Sequence, residues 1–239
     1  MRWPGRARSR RLFGDPRAWF VAALIGDGLL WLAPDDEASR LRVFDPALLL
    51  VAFALWLADD RLAFRRRLRA PGAIAAAAFV ALGVAAGLIY ELALAKGGDG
   101  YGGLHQDTKT SFLLFPGYYV VAPIAMLLLI RRYRLDRREA FFTAACFAVY
   151  EAVTIGLPAL VSPFFFLAPF LIAYYATVYS VIVAFGVLML PEPSLHSERT
   201  GARRPLPRVL AAATAAGLGV WVVFLGWALL LEAAGVDVF

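Results

Sequence analysis

One cysteine and two histidines are all that the chain offers as soft metal ligands. Cys146 lies inside an apolar run, so no disulfide framework exists and the redox compartment is not readable from cysteine usage. His105 and His196 have no metal-ligand spacing with each other or with Cys146, which argues against a catalytic zinc site, and no metal is expected. No Gly-x-Ser-x-Gly sequence occurs and neither histidine is placed to activate a buried serine, which argues against a serine hydrolase. Lysine is nearly missing: Lys96 and Lys109 stand against 22 arginines, and neither lies in a long apolar run, so a retinal-type lysine is absent. "LADDRL" is a single acidic pair, short of the paired aspartate motifs of a membrane prenyltransferase, and "DDEASR" at 35–40 falls on the other side. Polar stretches long enough for a soluble domain are lacking too, and no cofactor is expected.

What the chain has in excess is apolar surface. Hydrophobic residues make up 61% of it, its mean hydropathy is +0.68, and long apolar runs recur between short arginine clusters. A span needs roughly 20 apolar residues to cross about 30 Å of hydrocarbon, so 239 residues with short loops hold about seven. The expected fold class is all-α, a polytopic membrane helix bundle forming one domain over 1–239, in a bacterial inner or plasma membrane. A net charge of +6 would suggest nucleic acid in a soluble protein. Here the basic residues flank apolar runs, which is a topology signal, so membrane lipids and no nucleic acid are the expected surroundings.

Asp15-Pro16 and Asp45-Pro46 each place a capping residue before a proline at the first helical position, marking the starts of spans one and two. The spans expected are 16–33, 46–64, 72–95, 112–130, 140–158, 164–190 and 208–231. The basic start and apolar run of the N-terminus resemble a signal peptide, but no small-x-small cleavage site follows, so it is read as a signal anchor and first span. Counting Lys and Arg in alternate loops gives 20 on one side and 4 on the other. That asymmetry predicts a cytoplasmic N-terminus and an outer C-terminus. In span two, Asp59, Asp60 and Arg61 are expected at the cytoplasmic interface, reaching headgroups or each other.

Ionisable groups inside a span are costly and face the bundle interior, a water cavity or a partner. The candidates are Asp27, Glu91 and Glu151, with Glu232 at the outer end of span seven, where snorkelling to the headgroups is expected. Asp27 lies between Gly26 and Gly28, which let another backbone come close. On a helix, Glu151 shares a face with Thr143, Phe147 and Thr154, and Glu91 with the small residues Gly83, Gly87 and Ala95. The local likeness of "LIYELAL" to "AVYEAVT" is read as coincidence rather than repeat. The loop "KGGDGYGGLHQDTKTS", 96–111, brings His105, Asp107 and Lys109 together beside Glu91, as a lid over an outward cavity or a plain connector. Pro116, Pro123 and Pro169 are placed to break or kink spans four and six. Tyr119, Tyr174, Tyr175 and Tyr179 add hydroxyls and aromatic faces.

Carboxyl groups kept from water favour the protonated form, which a general acid or proton carrier needs. The pattern therefore points to a membrane-embedded enzyme using acid/base catalysis on an apolar lipid or isoprenoid. Glu151 is its general acid and Glu91 or Asp27 its base or charge stabiliser. Tyr174, Tyr175, Tyr179, Thr154, Tyr119, His105 and Asp107 contact the substrate. Two alternatives stay open: a proton-coupled small-molecule transporter, and a non-catalytic subunit whose acids pair with a partner's basic residue.

Overall fold

The structure, a computed structural model, describes residues 14–31, 44–62, 72–96, 107–148, 165–191, 195 and 206–238. Regular structure among them is entirely helical. In chain order these are α1 (Pro16–Trp31), α2 (Phe44–Leu62), α3 (Gly72–Lys96), α4 (Thr108–Phe115), a π turn (Pro116–Val120), α5 (Val121–Tyr133), α6 (Arg137–Ala145), a 3-10 turn (Cys146–Ala148), a second 3-10 turn (Phe165–Leu167), α7 (Ala168–Met189) and α8 (Leu206–Ala233). Four helical stretches are long and apolar enough to cross a membrane: Gly72–Glu91, Lys109–Tyr133, Phe165–Met189 and Pro207–Ala233.

Local chemistry sets the ends. Asp15 accepts from the Arg17 amide at 3.2 Å ahead of Pro16, as expected of a capping residue. α2 begins two residues before the expected Pro46, at Phe44, so Asp45 stands inside its first turn. The α5–α6 connection is only three residues long. Arg134 takes the left-handed conformation (φ 50°) to end α5, and Asp136 with Glu139 forms a capping box that starts α6. α8 closes with a Schellman motif around Gly235 (φ 88°), in which the Val236 amide bonds Leu231 O at 3.0 Å and the Gly235 amide bonds Glu232 O at 2.9 Å. The Glu232 carboxylate accepts from the Val238 amide at 2.8 Å, so it fastens the C-terminal turn rather than only reaching for headgroups.

α7 is the centre, packing on α1, α2, α3, α5 and α6. Protein buries 72% of its most apolar window, against 28% in α3 and 22% in α8, so those two turn most of their surface outward. Lipid is as apolar as leucine, so such helices associate through close packing rather than hydrophobic transfer. Gly26 provides one such approach: a Cβ there would lie 2.9 Å from the Phe170 carbonyl carbon of α7. Paired contacts give the directions. Arg17 meets Asp60 and Phe20 meets Phe53, so α2 runs against α1. Trp19 meets Thr177 and Gly26 meets Phe170, so α7 also runs against α1. Phe79 meets Gly186 and Gly83 meets Ile182, so α3 opposes α7. α1 and α3 thus run one way, and α2 and α7 the other.

Of the three prolines expected to disturb helices, Pro116 opens the π turn and Pro123 follows it within the same continuous helical run, while Pro169 stands in a first turn that tolerates it. α7 does leave helical geometry, but at Ala184 (φ −114°, ψ 22°), where no proline stands. Of expected span five, α6 and its 3-10 turn carry the described part as far as Ala148.

Candidate functional site

Glu91 has no exposed surface. Its carboxyl group lies beside two hydroxyl-bearing residues from one interrupted helix. Ser111 Oγ donates to Glu91 Oε1 at 2.5 Å from α4, and the Tyr119 ring of the π turn lies against Gly87, one turn before Glu91. The small-residue face of α3 explains the approach. A Cβ on Gly87, one turn before Glu91, would stand 2.8 Å from Tyr119 Cγ, and one on Gly83 would stand 2.6 Å from Pro123 Cγ. The bare backbone at Gly87 thus lets the tyrosine ring lie along α3 beside the carboxyl group.

Beyond Tyr119 lies an aromatic cluster. Tyr118 meets Tyr119 at 5.3 Å between ring centroids, Tyr179 at 5.8 Å and Trp221 at 5.2 Å. It joins α7 and α8 to the π turn beside Glu91. The edge-to-face geometry of Tyr118 on Tyr119 and Tyr179 places positive ring edges against negative faces.

Asp27 is buried on α1, one residue past the contact of Gly26 with Phe170 and Tyr174. Tyr174 is fully buried and packs edge-on against Tyr175 at 5.1 Å. Gly83 is level with Ile182 on the antiparallel α7. Eight residues on along α3 and eight back along α7, about 12 Å at 1.5 Å per residue, bring Glu91 level with Tyr174. Asp27 and Glu91 therefore stand at one height, on helices that flank α7.

The structure thus gathers Glu91 with Tyr119 and, through Tyr118, with Tyr179, and it sets Gly26, the residue before Asp27, against Tyr174. Asp107 is exposed and caps α4, accepting from the Thr110 amide at 2.8 Å and its hydroxyl at 3.0 Å. Glu151, Thr154 and His105 lie outside the described residues. Thr143 and Phe147, the described part of the Glu151 face, are both buried. Sequence reasoning missed Ser111. Its signal was a hydroxyl just after the Asp107 cap, on the first turn of a helix that packs beside α3.

A second polar cluster sits at the opposite end, where α1 begins, α2 ends and α6 begins. Arg137 is 5% exposed, its guanidinium carbon 3.6 Å from the centroid of the Trp56 ring. It bridges Asp59 Oδ2 at 3.1 Å and Asp60 Oδ1 at 3.2 Å, and Asp60 also holds Arg17 at 2.7 Å. Trp56, Asp59 and Asp60 share one α2 face by their spacing of three and four. Asp59 and Asp60 therefore bind another helix, and Arg137, counted only as a topology charge, is an interior ion. Under it is a small recess of about 10 Å³, partly open and with room for about one water, lined by Phe20, Phe141, Ser180, Ala184 and Leu188 among others. The irregular turn of α7 thus faces the ion cluster.

Among the described residues, no group of three or more His, Cys, Asp or Glu is placed to hold a metal ion. Comparison with family models, with curated proteins and with solved structures found no match to this chain.

Proposed function

We propose that the chain is one domain crossing a bacterial inner or plasma membrane seven times, N-terminus cytoplasmic and C-terminus outside. Its Glu91 cluster is then the acid/base centre of a membrane-embedded enzyme for an apolar lipid or isoprenoid. Four apolar helices of spanning length, the opposed directions of α1 and α3 to α2 and α7, and the 20-to-4 split of basic residues support the topology. In that orientation Glu91 and Asp27 lie in the outer half of the bilayer, and the Arg137 cluster lies at the cytoplasmic end.

One observation carries the catalytic reading: a carboxyl group with no exposed surface, bonded by a serine hydroxyl and set beside the Tyr119 ring and a cluster of ring faces. Glu91 exchanges a proton with the substrate while Ser111 and Tyr119 hold its carboxyl plane. Glu151 is assigned the general acid and Asp27 the second carboxylate. Faces of Tyr118, Tyr179 and Trp221 stabilise positive charge developing on an apolar skeleton. Mass spectrometry of small molecules copurifying in mild detergent tests this with the native protein, Glu91→Gln and Glu151→Gln. A specific apolar species should be present in the first and lost from either variant. One bulk-lipid profile shared by all three would end the enzyme reading.

The break in α7 at Ala184, beside the recess and the Arg137 cluster, favours a second reading as a proton-coupled transporter, in which such breaks and buried charges serve alternating access. Proton flux into proteoliposomes, abolished by Glu91→Gln, would select it.

A further inference from the structure

We propose that Trp227, on the outward side of α8, is a positioning residue: it holds the Pro116–Val120 turn in π register and so aims Tyr119, not Tyr118, at Glu91. The proposal rests on the reading above only for the chemical role of Glu91.

Consider first what the register decides. Ser111 and Tyr119 are eight positions apart, and on an unbroken α-helix that separation turns them about 80° away from each other. Both could not then serve one carboxyl group. A π turn inserts one residue into the ladder, so position i+8 takes the place that i+7 holds in an α-helix, about 20° from i. With the turn at Pro116–Val120, Ser111 and Tyr119 fall on one face, where Ser111 bonds Glu91 and the Tyr119 ring lies on Gly87 beside it. In α register the residue on that face is Tyr118, which in this structure meets Tyr179 and Trp221 instead.

The turn has a cost in hydrogen bonds. Pro116 has no N–H to offer Phe112 O, its i−4 carbonyl, and an inserted residue loosens the ladder around it. Trp227 supplies a donor from outside the helix, since its indole Nε1–H donates to Leu113 O at 2.7 Å. The same indole lies against Gly117 inside the turn, where a Cβ would stand 2.9 Å from Trp227 Cδ1 and 3.2 Å from Cγ. One side chain thus meets the turn at a carbonyl and at a bare Cα, two contacts that depend on its indole N–H and on glycine.

The test is the carboxyl carbon resonance of Glu91 in protein labelled with 13C-glutamate, reconstituted in lipid and assigned by its loss in Glu91→Gln. Trp227→Phe, which keeps a ring and deletes the donor, should displace that resonance, and so should Gly117→Ala, which pushes the indole off. Val222→Ala, at a position 69% exposed on the same helix, should leave it in place. The register is then read by exchange of partners. Tyr119→Phe should move the resonance in the native background, and Tyr118→Phe should move it further once Trp227 is phenylalanine. A Glu91 resonance unmoved by Trp227→Phe overturns the proposal. A Glu91→Gln variant that keeps the native lipid profile would instead end the enzyme reading and leave the resonance result standing.

Discussion

Ser111 follows Glu91 by 20 positions and shares no motif with it, yet its hydroxyl makes the short contact with the buried carboxyl group. Removing that hydroxyl leaves a polar atom in a fully buried site without its donor, which costs about 1–3 kcal/mol. Ser111→Ala should therefore lower the thermal unfolding midpoint in detergent, and Ser111→Thr, which keeps a hydroxyl, should recover much of the loss. Equal midpoints for native protein and Ser111→Ala would show that the contact contributes nothing. Glu91 itself was legible as a charge inside hydrocarbon, and its small-residue face was legible from the spacing of Gly83 and Gly87. Its partners were not, because a serine among polar neighbours carries no signal until the helices are placed side by side.

Among the elements, α6 shows how short-range chemistry starts a helix within three residues of the previous one. Asp136 accepts from the amides of Arg138 and Glu139 at 3.0 and 2.9 Å, and Glu139 returns a bond to the Asp136 amide at 2.9 Å. A lost N-cap costs about 1 kcal/mol. Asp136→Ala should destabilise by that amount in detergent unfolding, and Asp136→Ser should restore most of it; a change within error for both would assign the start of α6 to packing alone. The three prolines teach the converse. Composition marks Pro116, Pro123 and Pro169 alike, but Pro169 occupies a first turn, where a missing N–H removes no helical bond, and Pro116 and Pro123 bracket the π turn inside one continuous run. The break in α7 comes at an alanine, next to Gly186, against which Phe79 of α3 packs closely, and to the recess under Arg137. Neighbouring helices placed it there, and local propensity does not.

For the molecule as a whole, the Arg137 cluster ties three helices where α1 begins, α2 ends and α6 begins. Breaking a buried pair by removing one partner leaves an uncompensated charge and costs about 3–5 kcal/mol, while replacing both partners with apolar residues can be close to neutral. Arg137→Met should be far less stable than the native protein, and Arg137→Met with Asp59→Leu should regain stability, as measured by unfolding in detergent. Equal losses in the single and double variants would show that the ions do not act as a pair. The sequence alone determined that this is an all-helical chain with apolar runs long enough to cross a membrane, because hydrocarbon leaves the backbone no other way to satisfy its hydrogen bonds and because run length reads directly as span length. It also singled out Asp27 and Glu91 as buried acids, since a charge in an apolar run has to be covered. Only the tertiary structure decided what covers them. Ser111, Tyr119 and Arg137 acquire their roles from which helix face meets which, and a one-residue change of register at Pro116 exchanges one tyrosine for its neighbour without altering any pattern visible along the chain.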